Sequence, residues 1–119
     1  MSIRTEKVAS MIKEEVGTLF QRKFPLHEYG LLTVTDVSVT GDLKHARIYI
    51  SVFGDGERKK KTLALLEGQK GFVRSELARA MSMRSIPALT FELDDTMDRA
   101  MRLETIFKEI HKEDPDKQS

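Results

Sequence analysis

Ala46-Arg47-Ile48-Tyr49-Ile50-Ser51-Val52 alternates apolar and polar residues without a break, the period of a strand with one buried face. Ala46, Ile48, Ile50 and Val52 share one side, so Arg47, Tyr49 and Ser51 share the other. Upstream, Leu32 and Val34 alternate in one phase and Val37 and Val39 in the opposite one. An extra residue near Thr35-Asp36 reconciles the two phases, which is the signature of a β-bulge. Gly41-Asp42 supplies the turn between them. Leu32–Thr40 and the following strand therefore predict a hairpin.

Working outward, Ser2–Phe24 reads as an amphipathic helix, with Val8, Met11, Ile12, Val16, Leu19 and Phe20 at three- and four-residue spacing. Pro25 ends it, because the residue before a proline is pushed out of helical geometry. Downstream, Gly54-Asp55-Gly56 closes the second strand. A helix follows from Glu57 to about Gln69 with Leu63 and Leu66 inward. Gly68 and Gly71 interrupt it, and a second helix from Phe72 to about Met83 buries Val73, Leu77, Ala80 and Met81. Ile86-Pro87 breaks that helix, and Leu89, Phe91 and Leu93 alternate as a third strand. A last helix starts at Asp95 or Thr96, capped by Asp95, with Met97, Ala100, Leu103, Phe107 and Ile110 as its stripe. The polar tail 112–119 is expected to be disordered. The class is α+β: a three-stranded sheet with helices packed on one face, in one domain across residues 1–111.

A chain of 119 residues suits one domain. It has no cysteine, so disulfides and thiolate metal sites are excluded and a reducing compartment fits. The first twenty residues mix charge into every apolar stretch, unlike a signal peptide or a membrane span. A cytoplasmic protein with no membrane association is expected.

The net charge of +1 conceals a strong gradient. Residues 57–84 hold 8 basic and 3 acidic side chains, a net of +5, whereas residues 85–119 hold 5 basic and 9 acidic, a net of −4. Positive charge gathered in one short segment is the footprint of a polyanion partner. A solvated face gives the same pattern, so charge alone leaves both readings open.

Within that segment Gly68-Gln69-Lys70-Gly71-Phe72-Val73-Arg74 is the most informative stretch. A glycine between two short helices permits a sharp bend and a close approach of bare backbone to a ligand. Lys70 and Arg74 stand four apart on one face, beside a helix start whose dipole favours phosphate. An ordinary helix corner with solvated lysines fits the same residues. Lys59-Lys60-Lys61 is an electrostatic arm or a solvated helical turn, and Arg84 reaches outward or toward the preceding helix carbonyls. Tyr49 alone projects from the sheet face opposite the core pattern, so phosphate contacts and RNA shape should outweigh base stacking.

No catalytic set assembles from these residues. His27, His45 and His111 lie in different elements without metal-ligand spacing. Asp94, Asp95 and Asp98 are explained by helix capping, and Gly54-Asp55-Gly56 lacks the lysine and hydroxyl of a nucleotide-binding loop. No metal, cofactor or enzymatic activity is expected. A hydrolase whose site forms only in three dimensions, and a protein-interaction module docking an acidic protein partner, are the competing readings.

Four stretches carry a resemblance: Val34–Val39, Asp42–Val52, Gly71–Leu77 and Met83–Phe91. In order and spacing they resemble the bacterial ribosome-binding factor A family over about residues 2–110. The resemblance implies a type II KH-like domain, α-β-β-α-α-β plus a C-terminal helix. It also implies binding to the free 30S small ribosomal subunit and its 16S-type rRNA during late maturation and rRNA processing, with a role in cold adaptation. The family replaces the KH GxxG loop by a kink of small residue, any residue, glycine. Gly71 fits the glycine, while Gln69 stands at the small-residue position with Gly68 beside it. By position, Lys70, Gly71, Arg74, Arg79 and Arg84 would face RNA, with Arg47 on the sheet and Arg4 or Lys7 on the first helix. A monomer is expected.

Overall fold

The structure, a computed structural model, describes residues 3–94. Helix α1 (Ile3–Lys23) buries Thr5, Val8, Ala9, Ile12, Val16, Leu19 and Phe20. The predicted stripe holds with one correction: Met11 is 40% exposed while Ile12 is fully buried. Successive residues lie about 100° apart on a helix, so only one of that adjacent pair can face the centre of the core.

Pro25 ends α1 and, at φ −67° and ψ 144°, starts a one-turn helix α2 (Leu26–Tyr29) that the sequence reading left out. Tyr29 is buried and stacks on Phe24 with ring centroids 4.7 Å apart. Burial, helped by the Glu28 charge, pushes its phenol above the ordinary 10.0. Gly30 then turns the chain at φ 73°, a conformation that glycine adopts without a Cβ clash.

Strands β1 (Leu32–Val39) and β2 (His45–Val52) pair antiparallel, and β3 (Ala88–Leu93) pairs parallel with β2, giving the order β1-β2-β3. The bulge lies where the phase slip put it: Val34 faces Ile50 and Asp36 faces Tyr49, leaving Thr35 as the extra residue. Its effect is to keep Leu32, Val34, Val37 and Val39 opposite Val52, Ile50, Ile48 and Ala46 on the core side. Thr35 donates its hydroxyl to Asp94 Oδ2 at 2.6 Å.

A parallel pair needs a crossover, and helices α3 (Gly56–Gly68) and α4 (Lys70–Ala80) supply it. Asp55 caps α3 by accepting the Arg58 N–H at 2.8 Å. Leu66 is fully buried and Leu63 half-buried. Thr62, also fully buried, donates its hydroxyl to the Tyr29 carbonyl at 2.8 Å and so locks α2 onto α3. Helix α4 starts two residues earlier than expected and ends at Ala80, not near Met83. Val73, Leu77 and Met81 are buried as expected; Ala80 is exposed.

This is an α+β fold with a three-stranded mixed sheet, in the type II KH-like order. Ile12, Val16, Ile48, Ile50, Leu66, Val73 and Leu77 form the centre of its core. The expected helix after Asp95 and the tail 112–119 lie outside the described residues. Among the described residues no helix is long and apolar enough to cross a membrane.

Candidate nucleic-acid interface

The junction between α3 and α4 is a single residue, Gln69, at φ −102° and ψ 7°. This corrects the expectation that glycines make the bend. Gly68 and Gly71 are both helical, and a Cβ on either would meet nothing within 4 Å. Gln69 sits in the bridge region, which any residue can occupy, so a long polar side chain is compatible with the small-residue position.

The cations expected to form one clamp have individual partners. Lys70 Nζ lies 2.7 Å from Glu67 Oε2 across the junction. Arg79 approaches Glu76 at 3.8 Å and lines a narrow groove against α1, near Glu15 and Arg22. On the open sheet face, Arg47 pairs with Glu92 at 3.2 Å. The hydrogen bond with Tyr49, and then the Glu92 charge, hold its guanidinium above its ordinary value. Lys7 is exposed on α1. These pairs are solvent-accessible, so each contributes little and can exchange for a phosphate.

Three of the expected residues do converge, together with a fourth that sequence reasoning passed over. Arg4, Lys44, Arg74 and Arg84 line one groove of about 690 Å³, with Asp42 as its one acidic residue. Four separate elements supply them: the start of α1, the β1–β2 turn, the middle of α4, and the loop before β3. That loop is tied on two sides where it enters β3. Arg74 donates from its guanidinium to the Ile86 carbonyl at 2.7 Å, and the Ala88 N–H donates to the Lys44 carbonyl at 2.8 Å. A guanidinium has five N–H donors, so one carbonyl leaves Arg74 able to bind an anion.

The turn that presents Lys44 is equally well built. Leu43 stands at φ 60°, which costs a non-glycine residue about 1–2 kcal/mol. Polar bonds offset this. Thr40 Oγ1 donates to Asp42 Oδ1 at 2.6 Å, and the same carboxylate oxygen accepts the Lys44 N–H at 3.0 Å. The His45 N–H donates to Thr40 Oγ1 at 3.1 Å. The Thr40 hydroxyl and the Lys44 N–H hold the Asp42 carboxyl below its ordinary value. Asp42 is thus an ionised brace for the turn, and the groove carries a net +3 from four cations and one carboxylate. The signal for Lys44 in the sequence was its place in the connection Thr40–Lys44, two residues past the Gly41-Asp42 turn and outside both strands.

Such a groove suits a sugar-phosphate backbone. Arginine and lysine at different heights contact phosphates along a strand and position it without reading bases. Among the described residues no group of three His, Asp or Glu could hold a metal ion.

The sequence matches the model of the ribosome-binding factor A family over residues 4–107. Three related structures agree with the fold. The crystal structure of ribosome-binding factor A from Thermus thermophilus matches with a TM-score of 0.66 at 24% identity, over 75% of this chain and 93% of that one. The solution structure of a putative ribosome binding factor A from Thermotoga maritima has a TM-score of 0.66 at 26% identity, over 77% and 88% of the two chains. A homology model of the Thermus thermophilus factor, fitted into a cryo-electron microscopy map of its complex with the 30S subunit, has a TM-score of 0.62 at 24% identity, over 72% and 90%.

Proposed function

The chain belongs to the ribosome-binding factor A family, and from that premise we propose that it is a non-enzymatic assembly factor acting on the free 30S subunit. It binds 16S-type rRNA in the cytoplasm during late maturation and rRNA processing, as a monomer and without a cofactor, and supports growth in the cold. The groove of Arg4, Lys44, Arg74 and Arg84 is the observation that carries this reading. Four cations drawn from four elements keep their spacing only in the folded protein, so they match the shape of a folded RNA backbone and not merely its charge. Lys70 and Arg79 sit outside the groove and add exchangeable charge.

The test is co-sedimentation with free small subunits in sucrose gradients, compared with assembled ribosomes. Charge reversal at Lys44 and Arg84 together should abolish binding at moderate salt. It should also lower the slope of log affinity against log salt by roughly 1.5–2, one counterion release per lost phosphate contact. Unchanged affinity and slope would refute the groove. Binding to a purified acidic protein that survives ribonuclease would favour a protein-docking module instead.

A further inference from the structure

Phe53 follows directly on strand β2 and is the most exposed aromatic side chain among the described residues, at 79%. Its N–H donates to the Leu31 carbonyl at 3.0 Å, which extends the pairing of β1 with β2 one residue beyond Leu32 and Val52. Those two face the core, so Leu31 and Phe53 turn away from it side by side, and Leu31 is 59% exposed.

Two glycines flank this pair, Gly30 before Leu31 and Gly54 after Phe53, and both stand at positive φ, 73° and 138°. The Arg58 side chain crosses both. A Cβ on Gly54 would fall 2.9 Å from Arg58 Cγ, and one on Gly30 would fall 2.9 Å from Arg58 Nε. Bare glycine backbone is thus the bed in which the arginine lies, and it brings the guanidinium to the Leu31 end of the pair. Arg58 is half-buried, and no ion pair among the described residues involves its guanidinium. Residues 55–61 hold four cations against two carboxylates, and one of the two, Asp55, is occupied in capping α3.

An open aromatic ring, an aliphatic neighbour and a positioned guanidinium match the parts of an unpaired nucleotide: base, ribose and phosphate. A protein partner fits less well. A specific protein interface takes about 800 Å² from each side, and two exposed side chains offer only a fraction of that. Building on the RNA-binding reading, we propose that Leu31, Phe53 and Arg58 hold one unpaired nucleotide of the RNA, its base stacked on the Phe53 ring and its phosphate against Arg58. The groove that contains Lys44 lies at the other end of β2, roughly 26 Å away along eight residues. The protein then grips its RNA at two points, one by charge and one by stacking.

The chain has no tryptophan, so Phe53→Trp places a single indole reporter in the full-length protein. An unstructured RNA hexamer should quench its emission saturably, and a blunt RNA duplex of equal charge should not. By fluorescence anisotropy of a labelled hexamer, Phe53→Ala should bind about tenfold more weakly, while Phe53→Tyr should bind as the wild type does. Arg58→Gln should lower the slope of log affinity against log salt by about 0.7, one phosphate contact on a single strand. Hexamer quenching that persists when Lys44 and Arg84 are charge-reversed would support a contact separate from the groove. Equal quenching by hexamer and duplex would overturn the proposal, as would an unchanged hexamer affinity in Phe53→Ala. Quenching by polyglutamate but not by the hexamer would also overturn it and assign the patch to an acidic protein. Co-sedimentation with free small subunits that leaves the indole emission unmoved would sink the stacking site while the groove stands.

Discussion

Arg74 reaches from α4 to the carbonyl of Ile86, 2.7 Å away, and thereby fastens the loop that carries Arg84 against the helix that carries Arg74 itself. A residue expected to be an RNA contact is also a structural tie. The two roles separate experimentally, because the neighbour Arg84 lines the same groove with an exposed side chain.

Arg74→Ala should lower both stability and affinity. Loss of a charged donor to the carbonyl of a buried residue, discounted for an exposed arginine, costs about 1 kcal/mol. For a domain of this size that lowers the Tm by roughly 4–8 °C. Arg84→Ala should leave stability within about 0.5 kcal/mol while weakening small-subunit binding. Urea denaturation beside co-sedimentation checks the split; equal stability for the two variants would remove the tie.

Thr62→Val isolates the bond between α2 and α3. The hydroxyl is wholly buried and serves the Tyr29 carbonyl, so an isosteric methyl leaves that acceptor unpaired. The expected cost is about 1–3 kcal/mol, most of it recovered in Thr62→Ser, which keeps the donor. Chemical denaturation of the three proteins decides this, and a neutral Thr62→Val would mean that water replaces the hydroxyl.

Gly71→Ala and Gly54→Ala should act in opposite directions. Gly71 is helical with open space at its Cβ position, so alanine should stabilise by about 0.5 kcal/mol. Gly54 stands at φ +138°, and its Cβ would fall 2.9 Å from Arg58 Cγ, a substitution expected to cost about 1–3 kcal/mol. If Gly71→Ala instead weakens RNA binding without loss of stability, bare backbone at that position is a contact.

Asp42 contributes a pH signature. Its folded-state carboxyl is held below the ordinary 3.8, so its stabilising effect is complete above that value and disappears as pH falls through the lower folded one. The stability gap between wild type and Asp42→Asn should therefore be constant near neutrality and close in acid below pH 3.8. A gap that widens in acid would contradict the assigned bonds to Thr40 and the Lys44 N–H.

The hairpin was legible because strand periodicity is strict. Ile48 and Ile50 could lie on one face only, and the phase slip at Thr35-Asp36 had no other geometric solution. The helices were legible as stripes but not at their margins. Met11 and Ala80 fit an apolar spacing, yet side chains at a stripe's border are buried only where a neighbouring element reaches them. The four-residue α2 was too short to show a period, and Thr62 gave no sign of its buried bond to a residue 33 positions away.

Local sequence determined the elements, their order and the concentration of cationic residues between 57 and 84, because dihedral preference and side-chain periodicity act over a few residues. Only the tertiary structure decided which cations share a groove. Arg4, Lys44, Arg74 and Arg84 are separated by 40, 30 and 10 positions, and no rule of spacing brings them together. Strand pairing, the crossover through α3 and α4, and the packing of α1 on the sheet do so, and each of these buries apolar surface with no regard to where the charges fall.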